Sequence, residues 1–227
     1  MADLGLLDRP VWSALNSGWA ALAEGDGRAL RLRRDHGPFG ASASPSADDL
    51  NALSALIPAA GELWVVEREE AAIPEGATVA RLAVLAQMLM ETFVPKRRGV
   101  EAVELGDSDA AEMQALAALT KPGPFAELTH RLGGFVGVRH QGRLVAMAGE
   151  RMRMDGFCEV SGVCCHPEFQ GQGLAGALMS LVCERILARG ETPFLHSYAH
   201  NEAAIGLYES LGFRRRATIH LTVLTRG

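Results

Sequence analysis

Cysteine is scarce in this sequence, and its few cysteines are crowded into one region. They are Cys158, Cys164, Cys165 and Cys183, two of them adjacent, in a chain of 227 residues. Such an arrangement is a poor disulfide framework, and it lacks the paired CxxC spacing of a zinc site. We therefore expect a protein of the reducing cytoplasm, without structural disulfides and without a bound metal.

Long hydrophobic runs and an excess of positive charge are also missing. No apolar segment approaches the roughly 20 residues of a membrane-spanning helix, and the first residues carry Asp3 and Asp8 where a signal peptide needs basic ones. A net charge of -5 argues against a nucleic-acid binder that works through overall charge. With 48% hydrophobic and 22% charged residues, the composition is that of a globular protein with ample apolar content for a core.

The first half of the chain carries few recognisable signals. A helix is predicted over residues 48–57 and strands over 63–67 and 78–92, the last because its polar residues share one parity. Residues 95–99 form a basic connector, which places a domain boundary between residues 98 and 99. We therefore expect a smaller α/β half over 1–98 and a second domain over 99–227.

The second half has clearer periodicity, and its predicted order is β-α-α-β-β-β-α-β-α-β. Strands are predicted over residues 100–105, 134–139, 143–152, 157–165, 194–198 and 218–224. Helices are predicted after a capping box formed by Asp109 and Glu112, over 125–132, from Gly173 to Gly190, and after Asn201. The fold class is α/β: a mixed, mainly antiparallel sheet with helices on both faces.

A glycine-rich stretch from His166 to Gly176 follows one of these strands and opens the next helix. Small residues at such a junction let backbone N–H groups approach an anion, and the helix N-terminus adds partial positive charge. Glycine richness alone is a weak signal, because loops before helices often need glycine only to turn. No P-loop motif is present, and the strands before the glycine stretch are predicted to be joined by hairpins, which argues against a dinucleotide-binding GxGxxG motif.

Two motifs in this half resemble the signatures of a known superfamily. The run Gln170-Gly171-Gln172-Gly173-Leu174-Ala175 is similar to the Q/R-x-x-G-x-G/A motif of the GNAT superfamily of N-acetyltransferases. The segment from Asn201 to Phe213 resembles its second signature, NxxAxxxYxxxGF, in the right order. The resemblance covers roughly residues 100–224 and is strongest to the glycine N-acyltransferase-like branch. It implies that residues 1–98 are a diverged copy of the fold, with an unrelated cap over the acceptor pocket as the alternative.

The resemblance implies acetyl-CoA as co-substrate. Its pyrophosphate would lie on the amides of the glycine loop, with Gln170 beside them: Gly171, Gln172, Gly173, Leu174, Ala175 and Gly176. The strand before the loop would bind the pantetheine arm and aim an N–H at the thioester oxygen through Val163, Cys164 and Cys165. Asn201 matches a position that contacts pantetheine, and it is equally explained as a helix N-cap.

Two residues are candidates for acid–base catalysis. Tyr208 matches the general acid of the superfamily, which protonates the departing CoA thiolate, and a phenol is protonated at pH 7. Glu159 lies on the strand that leads to the loop and is the candidate base, with a salt-bridged structural glutamate as the alternative. An acyl-enzyme on Cys164 or Cys165 is a rival route, but a hydrophobic strand favours inert thiols and direct transfer.

Several basic residues lie near these motifs without matching them. His166 is expected in a turn, and His196 and His200 are expected to be structural or to contact substrate. Gln172 replaces a common basic residue of the loop, so Arg151, Arg153 or residues 214–216 are candidates to supply charge to the phosphates.

The predicted function is transfer of an acetyl group from acetyl-CoA to an amine by direct attack. The acceptor is expected to be a small amine, an amino acid or a peptide N-terminus, with no nucleic-acid or membrane partner, and a homodimer is left open. The alternative is a non-catalytic acyl-CoA sensor or interaction domain, which would share the glycine loop and lack a competent acid and base.

Overall fold

The computed structural model describes residues 2–96 and 99–227. The helices are α1 Pro10–Leu15, α2 Ala47–Leu56, α3 Ala110–Thr120, α4 Leu174–Ala188 and α5 Glu202–Ser210. The strands are β1 Ala23–Gly25, β2 Ala29–Leu32, β3 Gly40–Ser42, β4 Leu63–Glu67, β5 Ala77–Met90, β6 Ala102–Leu105, β7 Phe135–His140, β8 Arg143–Met154, β9 Phe157–Cys165, β10 Thr192–Tyr198 and β11 Phe213–Arg226. Among the described helices, none is both long and apolar enough to cross a bilayer.

One large sheet organises the molecule. Among the described residues it has eight strands in the order β4-β11-β5-β10-β9-β8-β7-β6, while β1, β2 and β3 form a separate small sheet. Within the large sheet, as far as the structure describes it, β9–β10 is the one parallel pair and the other pairs are antiparallel. The mixed, mainly antiparallel sheet predicted from the sequence is confirmed.

Helices cover both faces of this sheet, as the strand periodicity requires. On β8, Ala146 packs in the core under α4 with Leu178 and Val182. The next residue, Met147, packs in the core under α3 with Met113. Because successive side chains of a strand point to opposite faces, α3 and α4 lie on opposite sides of the sheet.

The first half of the chain joins the same sheet. The strand predicted over 78–92 is present as β5, which pairs with β10 on one side and β11 on the other. Trp19 and Phe39 pack in one core with Phe194 and Ile219 of the second half. The predicted boundary adjoins residues 97 and 98, which lie outside the described residues, so the division into 1–98 and 99–227 stays a prediction.

The two parallel strands separate soon after they pair. The pairing of β9 with β10 extends from Thr192↔Phe157 to Phe194↔Glu159. Beyond that point β9 continues beside β8, whereas β10 continues beside β5. A V-shaped opening therefore lies between the carboxyl-terminal ends of β9 and β10, in the middle of the sheet.

Two local predictions were wrong. The helix predicted over 125–132 is only a 3-10 turn at Thr129–Arg131, because the Leu128 N–H donates to the Asp35 carbonyl and the Ala126 N–H to the Thr129 hydroxyl. The capping box was misplaced by one turn. The Asp109 carboxylate accepts the N–H of Gly106 at 3.0 Å, and α3 begins after Asp109 without a side-chain cap.

Candidate active site

A cavity of about 240 Å³ lies at the opening between β9 and β10. Both halves of the chain form its wall. The first half contributes apolar and aromatic side chains, which are Phe39, Trp64, Val66 and Leu85. The second half contributes the loop 120–124 and, from β8 to α5 and β11, Arg151, Met152, Val163, His196, Ser197, Tyr198, Asn201, Ala204, Tyr208 and Leu221.

The glycine loop contains two glycines with positive φ. Gly171 has φ 75° and Gly173 has φ 76°, in the left-handed region that other residues rarely adopt. Helix α4 begins at Leu174, and no side chain among the described residues caps it at Gly173. The first N–H groups of a helix have no intrahelical partner, so those of this turn are positioned for a phosphate group.

Gly176 brings a lysine to the first turn of α4. A Cβ on Gly176 would lie 3.3 Å from Leu207 Cδ1 and 3.4 Å from Lys96 Cγ, so both side chains pack closely against this glycine. The Lys96 backbone is fixed there, since its N–H donates to Ser180 Oγ at 2.8 Å. Lys96 was not among the site residues predicted from the sequence, although it belongs to the basic connector 95–99.

The end of β9 provides backbone groups toward the opening, and its thiols are inert. Val163 lines the cavity, while Cys164 packs in the core with Met113 and Leu116. Burial raises the pKa of Cys164 to about 11 and also raises the pKa of Cys165. Both thiols are therefore protonated at neutral pH, which disfavours an acyl-cysteine route.

Tyr208 lies on α5 with its side chain on the cavity. Its ring packs edge-on against Phe213 at 6.5 Å between centroids, and burial raises its pKa. Within the described part of the chain, the phenol has no hydrogen-bond partner. It is therefore a protonated hydroxyl that faces the cavity with its hydrogen unused.

Asn201 begins the same helix and also lines the cavity. Its Oδ1 accepts the N–H of Ala204 at 3.2 Å, so its prediction as the N-cap is confirmed. Its contact with pantetheine stays a prediction.

Glu159 lies behind the cavity wall rather than on it. Its carboxylate accepts two hydrogen bonds from Arg151, at 2.8 and 2.9 Å, and one from His196 Nδ1 at 2.8 Å. Burial alone would raise the pKa of Glu159, but Arg151 and His196 lower it more, so it lies well below its usual range. A buried carboxylate held in this way is a weak base, and these contacts favour a positioning role.

A buried chain of polar side chains continues beyond His196. Gln87 donates from Nε2 to His196 Nε2 at 3.0 Å and to the Leu7 carbonyl at 2.8 Å. Its Oε1 accepts from Arg216 at 2.8 Å, which fixes the orientation of the amide. His196 Nε2 must then accept, so Nδ1 carries the proton that is donated to Glu159 and the ring is neutral.

The remaining basic candidates have other contacts. Arg151 lies in the cavity wall, Arg153 pairs with Glu191 at 2.6 Å, and Arg214 donates to backbone carbonyls. His166 Nδ1 accepts the N–H of Glu168 in the turn before the loop, as expected.

Comparison with known proteins finds relatives along the whole chain. The family described as FR47-like protein matches residues 135–221. A solved structure from Novosphingobium aromaticivorans, assigned to the GNAT family of acetyltransferases, is 47% identical with a TM-score of 0.91, over 97% of this chain and 98% of its own. A GCN5-related N-acetyltransferase from Kribbella flavida is 20% identical with a TM-score of 0.65, over 97% of this chain and 96% of its own, which supports the fold alone.

Shorter matches connect the chain to other bacterial proteins. An acetyltransferase from Yersinia enterocolitica is 41% identical over 58 residues, which make up 25% of this chain and 40% of that protein. One from Pectobacterium atrosepticum is 42% identical over 50 residues, 21% of this chain and 35% of that protein. The chain therefore spans less than half the length of these curated relatives.

Proposed function

Because the chain belongs to the GNAT family of acetyltransferases, we propose that it is an N-acetyltransferase that moves an acetyl group from acetyl-CoA to an amine. One observation carries the proposal. The glycine loop that follows β9 begins α4 without a side-chain cap, and the cavity at the opening between β9 and β10 has the unpaired hydroxyl of Tyr208 on its wall. An acyl-CoA needs an anion site at one end and an acid at the other.

Acetyl-CoA would bind along this opening. Its pyrophosphate would accept hydrogen bonds from the amides of residues 171–176, with Gln170 beside them, and the Lys96 ammonium would add the charge that Gln172 does not supply. The pantetheine arm would lie against the backbone of residues 163–165, as an added strand would, with Asn201 at its side. A backbone N–H of this strand would then point at the thioester oxygen.

The reaction would proceed by direct attack. The neutral amine forms a C–N bond with the thioester carbonyl, and the negative charge that develops on the oxygen is stabilised by the N–H of β9. The C–S bond then breaks, and the Tyr208 phenol donates its proton to the departing thiolate. The proton released from the amine nitrogen passes to solvent. The Tyr208 phenolate takes up a proton from solvent, and the phenol is restored for the next turnover.

The finer placement follows the resemblance. We propose the glycine N-acyltransferase-like branch, with the first half as a diverged copy, and a small amine or amino acid as acceptor. The free thiols of Cys158, Cys164, Cys165 and Cys183 fit a reducing compartment, and we place the protein in the cytoplasm.

Calorimetric titration with acetyl-CoA, compared with CoA and ATP, tests the binding site. We expect saturable binding that Gly173→Glu abolishes, because a carboxylate would occupy the pyrophosphate position. Tight binding by that variant would contradict the loop assignment. Binding without thiol release against a panel of amines would instead indicate an acyl-CoA sensor.

A further inference from the structure

We infer that the acceptor amine carries a carboxylate, which the Nη1 end of Arg151 binds inside the cavity. The inference rests on the proposed function and narrows its substrate class. The carboxylate would hold the acceptor at the β8 side of the cavity, and its amine would extend toward β9 and Tyr208.

The first observation is the way in which Arg151 is held. Its Nε and Nη2 are both used by the Glu159 carboxylate, and its guanidinium lies over the ring of Phe39 at 4.9 Å. Glu159 is in turn fixed by His196 at 2.8 Å. The guanidinium therefore has one orientation, and forming a further hydrogen bond would cost it little conformational entropy.

The second observation is the unused end of that guanidinium. Among the described residues nothing accepts a hydrogen bond from Nη1, although the Arg151 side chain is only 11% exposed. A Cβ on Gly123 would lie 3.9 Å from Nη1, so this nitrogen lies beside the loop 120–124 in the wall of the cavity. A guanidinium has five N–H donors, and the two on Nη1 are directed at the position of a ligand.

The third observation is the charge of the wall. The charged side chains that line the cavity, as far as the structure describes it, are Arg151 and Lys121, both cationic. Glu159 balances Arg151 from behind, and Gln87 keeps His196 neutral. The cavity wall therefore offers no anionic side chain to a ligand that carries only a positive charge. To a carboxylate it offers two cations, of which Arg151 is already held in one orientation.

The cavity also limits the rest of the acceptor. Its volume of about 240 Å³ is below the roughly 300–1,000 Å³ of sites for drug-sized ligands, which favours a small molecule. Apolar and aromatic side chains also line the cavity, among them Phe39, Trp64 and Leu85. The acceptor class that fits is a small amino acid-like molecule with an apolar side group.

Matched sets of amines test the inference. Phenylalanine, phenylalaninamide and phenethylamine form one set, and leucine, leucinamide and isoamylamine form another. Thiol release is measured at saturating acetyl-CoA, and kcat/KM is compared per neutral amine because the amides are more acidic. In a set that reacts, we expect kcat/KM for the free acid to be at least tenfold higher than for the matching amide and the matching simple amine.

Variants then connect the preference to Arg151. Arg151→Lys keeps a cation beside Glu159 but removes the Nη1 donors. It should lower kcat/KM for the acids by about 10- to 100-fold, which is the loss expected for a charge-assisted hydrogen bond. For the amides, kcat/KM should stay within about threefold of the wild-type value. Arg153→Lys on the same strand is the control, because the exposed Arg153 side chain pairs with Glu191, and it should change kcat/KM for neither the acids nor the amides. If Arg151→Lys does not fold, the double variant Arg151→Met/Glu159→Gln should remove the preference with both charges gone.

The outcomes separate this inference from the proposed function. Equal transfer to acids and amides would overturn the carboxylate site and leave N-acetyltransfer intact. An equal loss for acids and amides in Arg151→Lys would make Arg151 a structural residue only. Transfer to no amine, with acetyl-CoA bound, would overturn the proposed function and the inference with it.

Discussion

The side-chain amide of Gln87 donates to Nε2 of His196 at 3.0 Å, although the two residues are 109 positions apart in the chain. This bond joins the first half of the molecule to the candidate active site. Gln87 lies on β5, fully buried, and His196 lies opposite it on β10. The orientation of His196, and through it that of Glu159 and Arg151, therefore depends on a residue far from the catalytic motifs.

Gln87→Met should destabilise the protein without changing its fold. The substitution removes the donor to His196 and to the Leu7 carbonyl and leaves Arg216 Nη1 without its acceptor, while Nη2 of Arg216 keeps its own acceptors. Buried polar groups without partners cost about 1–3 kcal/mol each, and we expect a total loss of about 2–4 kcal/mol in the free energy of unfolding. A lower urea midpoint at unchanged m-value measures it. Val84→Thr, at an exposed position of the same strand, should stay within about 0.5 kcal/mol of the wild type.

Glu159→Gln should make stability less sensitive to acid. Burial raises the pKa of Glu159, but Arg151 and His196 lower it more. A depressed folded-state pKa stabilises the fold above the unfolded-state pKa of about 4.3, and this stabilisation is lost as the pH falls through the folded-state value. Between about pH 5 and pH 2.5 the wild type should lose more unfolding free energy than the variant.

Urea denaturation across that pH range checks the prediction. Glu104→Gln, which removes an exposed partner of Arg185, is the control and should follow the wild-type profile. Parallel profiles for Glu159→Gln and the wild type would contradict the pKa assignment. The same variant decides between base and positioning residue. Loss of a base would lower kcat, so the rate would stay low even at saturating acceptor. A misplaced Arg151 would instead mainly raise the KM for the acceptor.

Tyr208 and Gln87 differ in how well the sequence alone predicts where they lie and what they contact. The placement of Tyr208 on a helix and of the loop 170–176 before α4 was predictable, because each belongs to a local motif at fixed spacing with regular strand and helix periods around it. Their catalytic and binding roles stay predictions. The contacts of Glu159 were not predictable, because its partners come from β8 and β10 and meet only when the sheet forms. For the same reason, no local pattern indicated that Phe39 and Trp64 of the first half would line the cavity.

Lys96→Gln should weaken acetyl-CoA binding without slowing the chemistry. Lys96 lies against Gly176 in the first turn of α4, next to the loop proposed to hold the pyrophosphate. Loss of one charge contact should raise the KM for acetyl-CoA by about 3- to 10-fold, more at low salt, with kcat unchanged. Acetyl-pantetheine lacks the phosphates, and with this donor the variant should equal the wild type. Lys121→Gln, on the acceptor side of the cavity, should leave the KM for acetyl-CoA unchanged.

Tyr208→Phe should lower turnover with little change in acetyl-CoA affinity. The substitution removes the one proton that the phenol offers to the departing thiolate and keeps the ring that packs on Phe213. General-acid catalysis contributes about 10²- to 10⁴-fold, so a loss of kcat in that range is expected when the chemical step limits the rate.

Tyr198 also lines the cavity, and its hydroxyl accepts from Arg81 at 3.4 Å. Tyr198→Phe is therefore the matched control and should retain most of the activity. Because burial raises the pKa of Tyr208, the wild-type rate should keep rising with pH as the acceptor amine is deprotonated, and it should fall only above pH 10. An unchanged kcat in Tyr208→Phe, with chemistry shown to be rate-limiting, would remove Tyr208 from the mechanism.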